Sequence, residues 1–253
     1  MISANGLTKG YGDRLAVDHL DLRVDPGQLF GFLGPNGAGK TTTIKMLVGL
    51  LRPTEGEAVV AGHDLRLETE AAKRRLGYVP DSPVLYDKLT AREFLEFSGD
   101  LYHLDRGYRD RRIITLLEIF ELKDRAGDML GSFSRGMRQK ISLAAALLHD
   151  PAVLFLDEPT VGLDPRSARL MKDILRDFAR GERCVFVSTH ILEIAQGMCT
   201  NIAILDHGRL VTSGSLAEVM ARGRSGGSLE DLFLELTNDE DADPAALLAE
   251  LER

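Results

Sequence analysis

Cysteine is scarce in this chain: Cys184 and Cys199 are the only two among 253 residues. They offer neither a metal-ligand spacing nor a disulfide framework, so a reducing cytosol is the simple expectation. No apolar run approaches the roughly 18 residues of a membrane-crossing helix, which leaves any membrane role to a separate partner chain. The opening Met1-Ile2-Ser3-Ala4-Asn5 lacks the basic-then-apolar pattern of a secretory leader, and none is expected. Positive charge is in deficit too. The formal net charge is -8 at pH 7, and an acidic protein is a poor default binder of nucleic acid or anionic lipid. Internal repeats and low-complexity tracts are absent. What is present is a hydrophobic content of 44%, enough at this length for one α/β domain with a subdomain.

The chain is organised around Gly34-Pro35-Asn36-Gly37-Ala38-Gly39-Lys40-Thr41-Thr42. This stretch fits G-x-x-x-x-G-K-[ST]. The apolar run Leu29–Leu33 before it reads as a buried strand, and Thr43–Leu50 after it is apolar at helical spacing. Glycines let the backbone curl so that successive N–H groups point at phosphate oxygens, and the following helix adds its positive end. Lys40 supplies a mobile charge for β- and γ-phosphates. The Thr41 hydroxyl is a hard oxygen suited to Mg²⁺.

Before the loop, Leu20, Leu22 and Val24 alternate with Asp21 and Arg23, a half-buried strand. Tyr11, in a glycine-flanked turn, either stacks on a nucleobase or packs on the sheet. After the loop, Glu57–Ala61 reads as a strand, Glu70–Leu76 as a short helix, and Gly77–Asp81 as a strand ending in a loop. From Thr90 to about Leu122 apolar residues recur at helical spacing, which predicts a helical insert. Asp124–Phe133 reads as a loop and Arg138–Leu148 as a helix. Val153–Leu156, Cys184–Ser188 and Ile202–Leu205 are buried strands, with helices over Pro165–Arg180 and from about Ile191. His207-Gly208 turns the chain into Leu210-Val211. Strands alternating with helices predict a largely parallel sheet covered on both faces. Gly223–Gly227 is a break, Ser228–Leu236 a short amphipathic helix, and Asn238–Asp243 an acidic stretch before a last short helix.

A second acidic site narrows the chemistry. Val153–Leu156 runs into Asp157-Glu158, placing two carboxylates at the C-terminal end of a buried strand, where open α/β sheets bind ligands. Asp157 can hold Mg²⁺ while Glu158 accepts a proton from an attacking water. Either acid alone would also serve as a helix cap before Pro159. His190 follows the next buried strand, where a histidine either hydrogen-bonds a γ-phosphate or that water, or is a solvated or satisfied loop residue.

Taken in order, Tyr11, Gly34–Thr42, Asp81, Phe133-Ser134-Arg135-Gly136-Met137, Asp157-Glu158, Gly162-Leu163-Asp164 and His190 resemble the ATP-binding subunit of an ABC transporter. The resemblance runs from about Ile2 to about Ala221. It implies a P-loop α/β fold of the ABC ATPase type: a mixed sheet core, an N-terminal antiparallel β subdomain and a helical subdomain. Residues 1–222 would form the ATPase domain, with the helical subdomain at about 88–150, and 223–253 a C-terminal extension. ATP and Mg²⁺ are the implied cofactors. Tyr11 would stack on adenine and Gly34–Thr42 would wrap the phosphates. Thr41, Asp157 and Asp81 would serve Mg²⁺, Glu158 would be the general base, and His190 the switch histidine. Ser134 and Gly136 would cap the γ-phosphate of ATP held by a second copy, and Asp164 would lie in the loop crossing between copies.

Two departures from the family pattern stand out. Phe133-Ser134-Arg135-Gly136-Met137 replaces the usual Leu-Ser-Gly-Gly-Gln, keeping the serine and second glycine. Asp81 replaces the usual glutamine. The stretches Ser134–Gln139, Glu158–Pro165 and Ser228–Leu236 resemble the single-cassette ATPases of ABC-2-type exporters. That implies an integral-membrane permease as partner, a second ATP-binding subunit, no nucleic acid, and a place on the inner face of the cell membrane. A soluble ABC ATPase acting on ribosomes or DNA, or the energising subunit of an importer, are the alternatives.

Overall fold

A computed structural model of the chain describes residues 1–223 and 228–237. The acidic stretch and last helix expected after Asn238, and most of the break expected before Ser228, lie outside the described residues.

The chain opens with an antiparallel ribbon. Strands β1 (Ile2–Tyr11) and β2 (Arg14–Val24) pair with Ile2 opposite Val24. Strand β3 (Leu29–Leu33) is buried at every position, and the phosphate loop leads from it into α1 (Lys40–Leu47). This helix starts earlier than the expected Thr43. Its first turn is polar, so apolar spacing could not show it. Strands β4 (Glu55–Val60) and β5 (His63–Asp64) complete a four-stranded sheet in the order β2-β1-β4-β5. Helix α2 (Thr69–Arg75) then runs directly into β6 (Leu76–Val79).

The expected helical insert is two helices. Helix α3 (Ala91–Leu101) opens on a capping box, with Thr90 and Glu93 exchanging side-chain-to-backbone bonds. Helix α4 (Arg106–Ile119) is capped by Asp105, and His103 turns the chain between them at φ 54. Two short 3₁₀ turns follow, Lys123–Arg125 and Leu130–Ser132. Helix α5 (Arg135–Leu148) is capped by Ser134, so it too begins before its apolar pattern at Arg138.

The remainder alternates: β7 (Val153–Asp157), α6 (Pro165–Phe178), β8 (Cys184–Thr189), α7 (Leu192–Met198), β9 (Asn201–Asp206) and β10 (Arg209–Ser215). Helices α8 (Leu216–Met220) and α9 (Leu229–Thr237) end the described chain. The second sheet has the order β10-β9-β3-β8-β7-β6. All its pairings are parallel except the β9–β10 hairpin, so the sheet is mixed.

Side-chain alternation explains why both faces of this sheet are dry. Phe30, Phe32, Phe155 and Phe186 point toward the antiparallel sheet and pack with Ile2, Leu20 and Val24. Phe186 is the hub, with ring centroids 5.2–5.5 Å from the other three. Leu33, Leu154, Leu156, Val185 and Val187 point the other way, onto a core shared with α3 to α7 and with Leu229 and Leu232 of α9. Burying each large apolar side chain stabilises the fold by roughly 1.5–3 kcal/mol. The two cores together clamp β3, β7 and β8, and those strands carry the site.

Candidate functional site

Register puts the chemistry on one edge. Leu33 lies opposite Thr189 and Asp157 opposite Ser188, so β3, β8 and β7 end level with one another. The phosphate loop, His190 and Glu158 therefore leave the sheet side by side.

The loop's shape depends on Gly39, which sits at φ 106. A Cβ there would overlap the Ala16 carbonyl oxygen. Gly34 is equally tight against the Leu205 carbonyl. Thr43 N–H makes the first helical bond of α1, to Gly39 O at 2.9 Å. The N–H groups of Lys40, Thr41 and Thr42 are left without a helical acceptor, at the positive end of the helix. Lys40 is 7% exposed; its Nζ donates to Gly34 O (2.7 Å) and Pro35 O (3.0 Å) and lies 3.9 Å from Glu158 Oε1. Burial holds the Lys40 ammonium below the usual lysine range, while the charges of Glu158 and Asp157 oppose that shift.

The two acids have different surroundings. Asp157 is 1% exposed and accepts from Thr41 Oγ1 at 2.8 Å and from Ser188 Oγ. Glu158 stands at φ 49, the left-handed region, held there by N–H donation to Ser188 O at 3.1 Å. Its Oε1 meets His190 Nδ1 at 2.9 Å. Its Oε2 is buried and has no hydrogen-bond partner among the described residues. A buried carboxylate oxygen left open in this way is suited to accept a proton.

Tyr11 is half exposed with Lys9 Nζ 5.4 Å from its ring centre. It lines an open cavity of about 480 Å³ together with Arg14, Asn36, Lys40, Thr41, Asp81 and Glu158. Ser134, Gly136 and Asp164 do not line that cavity. Ser134 Oγ accepts from Met137 N–H at 3.3 Å, and Asp164 caps α6 by accepting from Ser167 N–H at 3.0 Å. That N–H holds the Asp164 carboxyl below the usual range. Both capping residues are exposed. Asp81 stands at the cavity, and Arg135 Nη2 lies 3.8 Å from its Oδ1.

No group of three or more His, Cys, Asp or Glu arranged for a metal occurs among the described residues. Thr41 and Asp157 offer two adjacent hard oxygens. That set fits Mg²⁺, which takes one or two protein ligands and completes its shell with phosphates and water. Sequence reading missed Ser188, which holds both Asp157 and the Glu158 backbone. Its signal was a polar residue closing the apolar run Cys184–Val187.

Residues 17–161 match the family model described as ABC transporter. The chain belongs to the ABC transporter family. The cassette is 41% identical over 233 residues to the daunorubicin resistance ATP-binding protein DrrA3 of Streptomyces coeruleorubidus, covering 92% of this chain and 73% of that one. It is 36% identical to the Nod factor export ATP-binding protein I of Cupriavidus metallidurans, covering 87% and 73%. Among solved structures it superimposes on an ATP-binding subunit of an ABC transporter with TM-score 0.88 and 33% identity, covering 94% of this chain and all of that one. A dimeric ATP-binding cassette in a post-hydrolysis state, bound to ADP and phosphate, matches with TM-score 0.79 and 25% identity over 85% and 99%. The cassette is thus an ATP-hydrolysing subunit of an ABC transporter, with exporter subunits among its relatives. Among the described residues no helix is long and apolar enough to cross a membrane.

Proposed function

We propose that this cassette drives export through a separate integral-membrane permease by closing, as a pair, over two ATP molecules. The observation that carries the reading is Glu158: one carboxylate oxygen on His190, the other buried and unpartnered, beside Lys40 and the Thr41–Asp157 pair. Tyr11 would stack on adenine, and the loop N–H groups and Lys40 would hold the β- and γ-phosphates. Glu158 would take the proton of the attacking water while His190 orients the carboxylate. Mg²⁺, held by Thr41 and Asp157 with Asp81 near the same cavity, would neutralise phosphate charge. Ser134 and Gly136 would meet the γ-phosphate of a second copy, and Asp164 would lie where the copies cross. The exposure of Ser134 and Asp164, and the place of all three away from their own chain's cavity, support that arrangement.

The permease needs a surface. A groove of about 400 Å³ lies between the α1 end, β6 and α3, lined by Leu50, Tyr78, Pro80, Val84, Leu101 and Tyr102. Val84 is 91% exposed, and Leu50, Tyr86 and Leu101 are also exposed. An apolar patch of this kind suits a partner protein. Because it follows Asp81 directly, we assign the permease to this groove; the cassette would then sit on the inner face of the membrane. Residues 1–222 would then be the ATPase unit, 88–150 its helical subdomain, and 223–253 an extension of which α9 is the described part.

The test is Glu158→Gln. Hydrolysis should stop while an ATP-bound dimer accumulates on size-exclusion chromatography with ATP and Mg²⁺. A monomer that binds ATP but never dimerises would defeat the reading.

A further inference from the structure

Asp81 and Arg135, one residue from each departure from the family pattern, lie next to each other. Their charged ends are 3.8 Å apart although they come from different elements, the loop after β6 and the first turn of α5. Asp81 belongs to the wall of the phosphate cavity, with Lys40, Thr41 and Glu158. Arg135 is the next residue after Ser134. The Arg135 side chain also lies across the loop that leaves Glu158. A Cβ on Gly162 would stand 3.1 Å from Arg135 Cδ and 3.3 Å from its Cζ. Leu163 closes a second contact, 3.4 Å from where a Gly136 Cβ would be. An exposed ion pair of this length is weak by itself. The backbone beneath the guanidinium is what gives this one a direction.

We propose that Arg135 is a positioning residue that couples the phosphate cavity of its own chain to the tip of α5. A nucleotide entering the cavity changes the field at Asp81, attracting or repelling its carboxylate. Arg135 follows Asp81, and the capped turn Ser134–Met137 follows Arg135. The coupling lies within one chain. Its consequence rests on the dimer reading above: with Ser134 and Gly136 serving the second copy's γ-phosphate, the occupancy of one site adjusts the grip on the other. Coupling between sites is reciprocal, so the tip of α5 would bias nucleotide affinity in its own cavity as well.

The experiment uses the full chain, diluted until it is monomeric, with and without Mg²⁺ and a non-hydrolysable ATP analogue. Amide exchange is read at Met137 and Arg138, whose N–H groups bond Ser134 Oγ and Ser134 O. Analogue binding should change their exchange by at least about threefold, the scale of a surface ion pair. Arg135→Ala, at a position outside the cavity wall, should abolish that change while still binding the analogue. A response that persists in Arg135→Ala, or a wild type that binds without responding, would overturn the proposal. Failure of the dimer reading is seen separately, in the Glu158→Gln chromatography, and leaves this monomer measurement standing.

Discussion

His190 and Glu158 come from the ends of neighbouring strands and meet at 2.9 Å, Nδ1 to Oε1. The contact fixes one carboxylate oxygen and leaves the other free. Replacing His190 with Ala should let the Glu158 side chain rotate, leaving the loop, Lys40 and Thr41 in place. Steady-state hydrolysis should fall by about 10²-fold or more, the usual worth of a placed base, while ATP affinity stays within a few-fold. A fluorescent-nucleotide titration beside a phosphate-release assay separates the two effects. Loss of affinity with unchanged turnover would show that His190 holds nucleotide and does not orient Glu158.

Ser188 is fully buried and donates to Asp157 Oδ1. Ser188→Ala should therefore leave a buried carboxylate oxygen one partner short, at a cost of about 1–3 kcal/mol. Urea unfolding at pH 7 measures it. The same variant should weaken Mg²⁺-dependent nucleotide binding, because the carboxylate facing Thr41 is less firmly held.

Gly39 tests the shape of the phosphate loop. At φ 106 against the Ala16 carbonyl, a methyl group forces the loop to move. Gly39→Ala should abolish measurable ATP binding and lower the melting temperature. Gly37→Ala also enters a positive-φ position, but with nothing within 4 Å of the new methyl it should be the milder change. Equal losses in the two variants would show that backbone conformation, and not crowding, governs the loop.

His149 gives a pH dependence of known sign. Its ring stacks on Tyr102 at 3.7 Å and its Nε2 bonds Leu76 O at 2.9 Å. Burial pushes its pKa down to about 4 from the ordinary 6.5. The unfolded chain therefore binds more protons between those values, and stability rises with pH. The contribution is fully present above pH 6.5 and is lost as pH falls through about 4, amounting to about 3 kcal/mol in the limit. Denaturation midpoints at pH 7 and pH 5 should diverge in the wild type and converge in His149→Asn.

Much of this was readable in the residues. The buried strands announced themselves because both faces are covered, so Val153–Leu156 and Cys184–Val187 are continuous apolar runs. The starts of α1 and α5 were not, since Lys40–Thr42 and Arg135–Met137 carry no apolar stripe to read. The break between α3 and α4 has neither glycine nor proline; His103 supplies the turn. Helix α8 had a readable signal in Ser215-Leu216-Ala217-Glu218, a capping box that apolar periodicity overlooks. Tyr11, Lys40, Thr41, Asp81 and Glu158 were each legible as candidates, and the fold brings them into one cavity. The contact between Asp81 and Arg135 could not be foreseen, because nothing local links a loop after β6 to a helix tip far along the chain.

Glu158 occupies a backbone conformation that suits glycine better. Its left-handed φ costs about 1 kcal/mol relative to a residue without a side chain. A glycine at this position would be free of that backbone strain and chemically inert. Selection for heat tolerance alone would therefore drift toward robust proteins that no longer turn over fuel, and any thermostabilisation campaign on this molecule must score turnover in the same round.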